Sequence, residues 1–317
     1  MFRKNDVASA SEQEIIDATV RFFIRRQNKS YKPGERARRA LHGKSLGTVS
    51  GKFIVGELPT ELQRGIFMRP GTYDAVVRFS NGSLGPNAPD ILPNVRGVAV
   101  KIYKVDQKNV LADERIETDR ESECDFLMVN SPTFFVRDIG FIEAIMKKNL
   151  IKVLSYLPSL ISNLVPAVNQ LVTNVLNENY YTQVPHWFGD TPCKYALIAQ
   201  RRFAGNANYL DRNYLRHGLE RELQTAAASF DFCVQFKQPE ESMDVLTQKW
   251  NGRMLTLATL EISQHQSNIL ESDGEALSFS PFRTPSAHQP AGWVGRMRKA
   301  VYKADFEWRQ DKNLESS

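Results

Sequence analysis

Apolar positions recur at helical spacing over residues 10–26, among them Ile15, Ile16, Val20, Phe23 and Ile24, and Ser11 stands three residues before Glu14 in capping-box order. This predicts an N-terminal helix over about 10–30, ended by the turn at Lys32, Pro33 and Gly34. The pattern then changes to short β-rich runs bounded by Pro, Gly and Asn, at 47–57, 72–80, 96–103 and 125–129, and again at 193–199, 229–236 and 255–262. A helix is expected over 211–227 and a closing helix over about 292–312, after a loop carrying Pro281, Pro285 and Pro290. Residues 153–177 contain no charged side chain. Pro158, Pro166 and repeated Ser, Asn and Gln interrupt that stretch, so it predicts broken helices that are buried or touch a lipid surface rather than a membrane span.

Composition narrows this picture only a little. Among 317 residues, 42% are hydrophobic and 24% charged, which is ordinary for a chain able to bury a sizeable core. No repeat, low-complexity tract or linker divides it, so one domain over 1–317 is expected. The net charge of +5 comes from scattered Lys and Arg, which argues against a nucleic-acid partner. Cys124, Cys193 and Cys233 lack the spacing of a disulfide framework or a zinc site. With no apolar run behind the basic first residues, a cytoplasmic protein is expected.

Two places carry candidate chemistry. In the closing helix, spacings of four and seven put Arg298, Tyr302 and Arg309 on one face, and a cation one turn from a phenol favours the phenolate, which can ligate iron. Alone, that stripe reads equally well as a salt-bridged helix face. Far upstream, His42 lies in the basic string Arg39-Ala-Leu-His-Gly-Lys-Ser45. A lone histidine is more often structural, and His186 beside aromatics is read that way. His217, His265 and His288 lack metal-ligand spacing.

The string from Arg39 to Gly47, then Arg78-Phe-Ser80, the 96–103 run, Asn130-Ser-Pro-Thr-Phe-Phe-Val-Arg-Asp138 and the Arg298/Tyr302/Arg309 ending occur in the order in which they stand in the heme catalase family. Over about 36–309 the chain resembles that family. It looks nearest to its short catalase-related branch of catalase-like peroxidases, allene oxide synthases and hydroperoxide-processing hemoproteins. The resemblance implies an α+β fold: a closed antiparallel β-barrel with surrounding helices and buried heme b. It implies Tyr302 as the iron ligand supported by Arg298, His42 as the distal acid/base oriented by Ser80, and Arg39, Arg78 and Arg309 as partners of the heme propionates. Leu41 stands where catalases carry valine and the allene oxide synthase type carries threonine.

One departure bears on substrate. In a gap-free match the place of the distal asparagine is filled by Val129, with Asn130 next to it. Asn130 is therefore carried as a second catalytic candidate, against the simpler reading of an Asn-Ser-Pro turn. The implied activity is cleavage of the O–O bond of hydrogen peroxide or of a fatty-acid hydroperoxide. The alternatives are a dedicated hydroperoxide lyase or isomerase and, in another class, a heme carrier or sensor without turnover. A peripheral membrane contact and a homo-oligomer stay open.

Overall fold

The computed structural model describes residues 7–82, 85, 87–113, 118–264 and 277–315. Nine strands are present among these residues: β1 (Lys44–Val55), β2 (Gly71–Asn81), β3 (Arg96–Ile102), β4 (Cys124–Val129), β5 (Tyr180–Tyr181), β6 (His186–Phe188), β7 (Thr191–Ala199), β8 (Ala228–Phe236) and β9 (Met254–Ile262). They run β5-β4-β3-β2-β1-β9-β8-β7-β6 with antiparallel partners throughout, and β5 pairs again with β7. That last pairing closes eight strands into a barrel and leaves β6 hanging on β7. The closure abolishes the edges that an open sheet would expose.

Period-two alternation sends one set of side chains inward. Phe53, Phe79, Phe126, Phe230 and Phe232 fill the barrel and are almost fully buried. Phe232 meets Phe126 at 4.8 Å and Phe53 at 5.2 Å, both edge to face. Each such ring contributes roughly 1.5–3 kcal/mol by burial. Gly51 permits the close crossing of β1 and β9, where a Cβ would stand 2.4 Å from the Glu261 carbonyl.

Among the described residues seven helices surround the barrel: α1 (Ala10–Ser30), α2 (Val110–Asp113), α3 (Ile139–Met146), α4 (Leu150–Ser155), α5 (Leu157–Val168), α6 (Tyr214–Thr225) and α7 (Gly292–Glu315). The expected elements are present with their ends shifted by a few residues. The N-cap of α1 is Ser9, whose hydroxyl accepts from Glu12 N–H at 3.2 Å, so Ser11 lies inside the helix rather than at its start. The uncharged stretch takes in the end of α4 and all of α5, with Pro166 inside the latter. No helix among the described residues is long and apolar enough to cross a membrane.

Polar contacts fasten the shell. The α1 and α7 helices run side by side in the same direction, joined by Glu12 with Arg296 (2.7 and 2.9 Å), Gln27 with Asp305 (2.7 Å) and Asn28 with Trp308 (2.8 Å). The loop before α7 is anchored inside: fully buried Arg283 pairs with Asp125 at 2.7 Å, and Asp125 also takes Lys101 at 2.8 Å. Breaking one arm of such a buried network typically costs about 3–5 kcal/mol.

Candidate functional site

The outer face of the barrel at one end of β1 to β5 is where the first candidates meet. Cross-strand register sets Ser45, Ser80, Gly97, Val129 and Tyr181 in one row, all on the same side of the sheet. The adjoining row places Thr48, Arg78, Ala99 and Leu127 on that side too. His42 rests on the first row. Its Nδ1 lies 3.1 Å from Ser80 Oγ, and Gly97 makes the approach possible, since a Cβ there would come within 2.4 Å of the imidazole.

His42 adopts the left-handed conformation at φ 55°, which costs a non-glycine residue roughly 1–2 kcal/mol. The backbone is held there from both sides. His42 N–H donates to the Gly82 carbonyl at 2.7 Å, and Arg78 donates to the His42 carbonyl at 3.0 Å. Ser80 Oγ also reaches the Gly97 carbonyl at 3.5 Å, and with its proton there its oxygen can accept from Nδ1–H, the tautomer that leaves Nε2 its lone pair. Burial, and then the positive fields of Arg78, Arg298 and Arg39, push the His42 imidazole down to about 4. It is neutral near pH 7.

One of these arginines, Arg298, belongs to α7 and places that helix beside His42. Arg298 lies close enough to act on His42, and its guanidinium stands over the Tyr302 ring at 5.5 Å. Arg309 is buried one face-repeat further on, with Nε on Asp305 at 3.0 Å. Asp305 was not legible as a site residue. Its other oxygen accepts from Gln27 and from Ala40 N–H at 2.9 Å, tying the Arg39–His42 segment to the helix that bears Tyr302. The only sequence signal for it is the i, i+4 pairing with Arg309. Arg39 donates to the Leu277 carbonyl and lies 6.0 Å over Phe279.

Asn130 is not brought to this face. The alternation that turns Val129 toward the His42 row turns Asn130 away. Its carboxamide is spent closing the end of the β3–β4 ladder: Oδ1 accepts from Arg96 N–H at 2.8 Å, and Nδ2 donates to Glu178 at 3.0 Å. The Asn130 side chain is thus engaged at the strand end and not on the His42 row. Of the other histidines, His186 is buried on the Val184 carbonyl at 3.0 Å, and His288 bridges Tyr195 OH at 2.7 Å and Ile66 N–H at 3.2 Å. His217 pairs with Asp211, and His265 lies outside the described residues.

Heme fits this donor set. Ala99, Leu127 and Val129 form an apolar wall that stays only partly buried. Thr48, cross-strand from Arg78, has a buried hydroxyl with no hydrogen-bond partner among the described residues. Three guanidinium fields converge on His42. A flat apolar ring with two carboxylates would cover the wall and neutralise those cations. A phenol from α7 would face the iron.

No family model matches the chain. By sequence it is 27% identical over 293 residues to a catalase-related peroxidase of Mycolicibacterium paratuberculosis, covering 86% of this chain and 88% of that protein. By structure it matches a fungal catalase (TM-score 0.61, 14% identity, 96% of this chain and 62% of that one) and a bacterial catalase (0.60, 16%, 96% and 61%). It also matches catalase A from Saccharomyces cerevisiae (0.60, 15%, 93% and 63%). The chain spans about three fifths of the length of these solved catalases. The resemblance that the ordered motifs carry therefore extends to the whole fold: this is a catalase-like α+β barrel protein, similar in sequence to a catalase-related peroxidase.

Proposed function

We propose that the chain is a heme-dependent peroxidase that cleaves the O–O bond of hydroperoxides, with organic hydroperoxides preferred over disproportionation of hydrogen peroxide. The observation that carries this reading is the neutral His42, held by Ser80 over Gly97 within the fields of Arg39, Arg78 and Arg298. Tyr302 would ligate the iron, with Arg298 beside its ring. Arg39, Arg78 and Arg309 would take the propionates. Heme, when bound, supplies the two-electron chemistry that O–O cleavage requires.

The chain's own residues do the proton work. His42 Nε2 accepts the proton from one peroxide oxygen and returns it to the other. The departing group is then water from hydrogen peroxide or an alcohol from an organic hydroperoxide. Ser80 keeps the ring in the tautomer that can do this. Val129 supports the organic preference. Disproportionation needs a second peroxide held in place, and beside His42 the strand offers an isopropyl group where an amide would donate. Apolar Leu41, nearer the catalase valine than a threonine, favours a second reading, plain catalase activity on hydrogen peroxide.

One comparison tests both: oxygen release from hydrogen peroxide against consumption of a fatty-acid hydroperoxide by the heme-loaded protein. Faster consumption of the lipid substrate is expected. Oxygen release at a full catalase's rate, with slow lipid turnover, would replace the proposal with the second reading.

A further inference from the structure

The helices α4 and α5 present an apolar stripe to the outside. Tyr156 between them keeps a right-handed helical conformation, so residues 150–168 wind as one nearly continuous rod. Leu150, Leu154, Leu157, Ile161 and Val165 are spaced by four, three, four and four, which confines them to one narrow arc of that rod. All five are exposed, from 42% at Val165 to 68% at Leu150, and Ile151 beside them is 83% exposed. The opposite arc holds the rod to the protein. Tyr156 OH donates to Asp138 at 2.6 Å, its ring meets Phe141 edge to face at 5.5 Å, and Ala167 is buried. More than half of the large exposed hydrophobic side chains among the described residues fall within 135–171. A water-soluble surface rarely gathers them so.

Charge distinguishes the occupant. Between Glu143 and Glu178 the sequence has no acidic residue, while Lys147, Lys148 and Lys152 stand at the α3–α4 end of the stripe. Glu143 answers Lys147 at 2.7 Å and Lys152 at 3.0 Å, which leaves the rim net positive. A second copy seated face to face would set these lysines near their own counterparts with little acid to meet them. A surface of apolar chains beneath anionic headgroups meets both requirements, with the lysine stems lying along the apolar layer and their ammonium groups at the headgroups.

We infer that the outer face of α4 and α5 docks in the plane of an anionic lipid bilayer, with the apolar stripe in the acyl boundary and the lysine rim on the headgroups. The docked rod rests through Phe141 on an apolar cluster that includes Trp293 and Met297, the latter one residue before Arg298. The lipid face is thus one packing layer from the helix that bears Tyr302. The inference concerns binding and stands apart from the peroxide chemistry.

The test is flotation of the purified full chain with vesicles of phosphatidylcholine alone or mixed with phosphatidylglycerol, for wild type and for Leu157→Glu combined with Ile161→Glu. Both positions are exposed, so the variant should keep the wild-type melting temperature and circular dichroism. Expected are binding to the mixed vesicles that weakens with salt, and a loss on the order of tenfold or more in the variant, which is about 1.4 kcal/mol. Lys148→Glu should weaken binding to the mixed vesicles in the same direction. Wild type that stays with neither vesicle, or a folded variant that binds as wild type does, overturns the inference. So does a wild-type dimer that the double variant makes monomeric while neither protein binds lipid, which would give the face to a second copy.

Discussion

The two halves of the candidate site are held by different physics. His42 is fixed by the barrel: its backbone is clamped between Gly82 and Arg78, its ring sits on Ser80 and Gly97, and those strands close over packed phenylalanines. Tyr302 rides on a helix of the shell, fastened to α1 by side-chain ion pairs and hydrogen bonds, with Arg298 stacked on its ring. The candidate acid/base thus inherits the rigidity of a closed sheet, and the candidate ligand inherits the fit between two helices. Damage to one half should leave a different signature from damage to the other.

The largest expected effect separates them. His42→Ala should retain bound heme and lower peroxide turnover by roughly 10²-fold to 10⁴-fold, the usual loss with a general acid/base. Tyr302→Phe should do the reverse in order, losing heme or changing its absorption spectrum before turnover is even measured. Absorption spectra of the two purified variants, followed by turnover, check this pair. Unchanged heme content and spectrum in Tyr302→Phe would remove the ligand assignment, and near-normal turnover in His42→Ala would remove the distal one.

Next in size is the joint between the halves. Asp305 holds Arg309 on its own helix, Gln27 on α1 and the Ala40 backbone beside Arg39. Asp305→Ala strands a buried guanidinium, at a cost of about 3 kcal/mol. Chemical denaturation should show that loss, and heme affinity should fall with it. The milder Asp305→Asn keeps the acceptor for Ala40 and should recover part of both.

A smaller, graded effect is set by pH. Because the folded protein holds His42 down to about 4, turnover should stay level through pH 6.5, where an ordinary histidine titrates, and fall only as pH approaches 4. Arg39→Gln removes one of the fields that depress it and should move that fall to higher pH. Buried His186 and His288 are each pushed down to about 3 by desolvation. Unfolding lets such groups take protons near 6.5, so the unfolded chain binds more protons below that pH. The stability they contribute is present above 6.5 and is lost as pH falls toward 3. A pH series of turnover beside a pH series of melting temperature separates the local titration from the global one.

Legibility followed the same division. Period-two runs such as 229–236 and 255–262 announce the barrel because their inward residues are uniformly apolar. The strand that closes it, β5, has only two residues, and β6 beside it three, too short for any period to register. The site motifs were readable as strings around His42, Arg78 and Tyr302, while Asp305 and Glu178 act across 265 and 48 positions of sequence, where no local pattern reaches. Asn130 shows the limit most clearly. Its residue type suited catalysis, yet a one-residue step along a strand reverses the face, and only the pairing of Gly97 with Val129 decides which neighbour looks at His42.

That pairing yields the smallest and most pointed test. Val129→Asn would put a donor in the row that His42 rests on, without touching the imidazole, the arginines or α7. Oxygen release from hydrogen peroxide should rise severalfold, about a factor of 5 if one hydrogen bond of roughly 1 kcal/mol is gained by the second peroxide. Fatty-acid hydroperoxide consumption, which needs one peroxide at a time, should change less. Asn130→Ala is the matched control. It removes the Arg96 and Glu178 contacts and should lower the melting temperature by loosening the end of β3 and β4, while turnover per folded, heme-bound molecule holds. If Asn130→Ala instead abolishes turnover at unchanged stability, and Val129→Asn leaves the substrate ratio where it was, the face assignment at 129 and 130 is reversed, and the preference for organic hydroperoxides loses its basis.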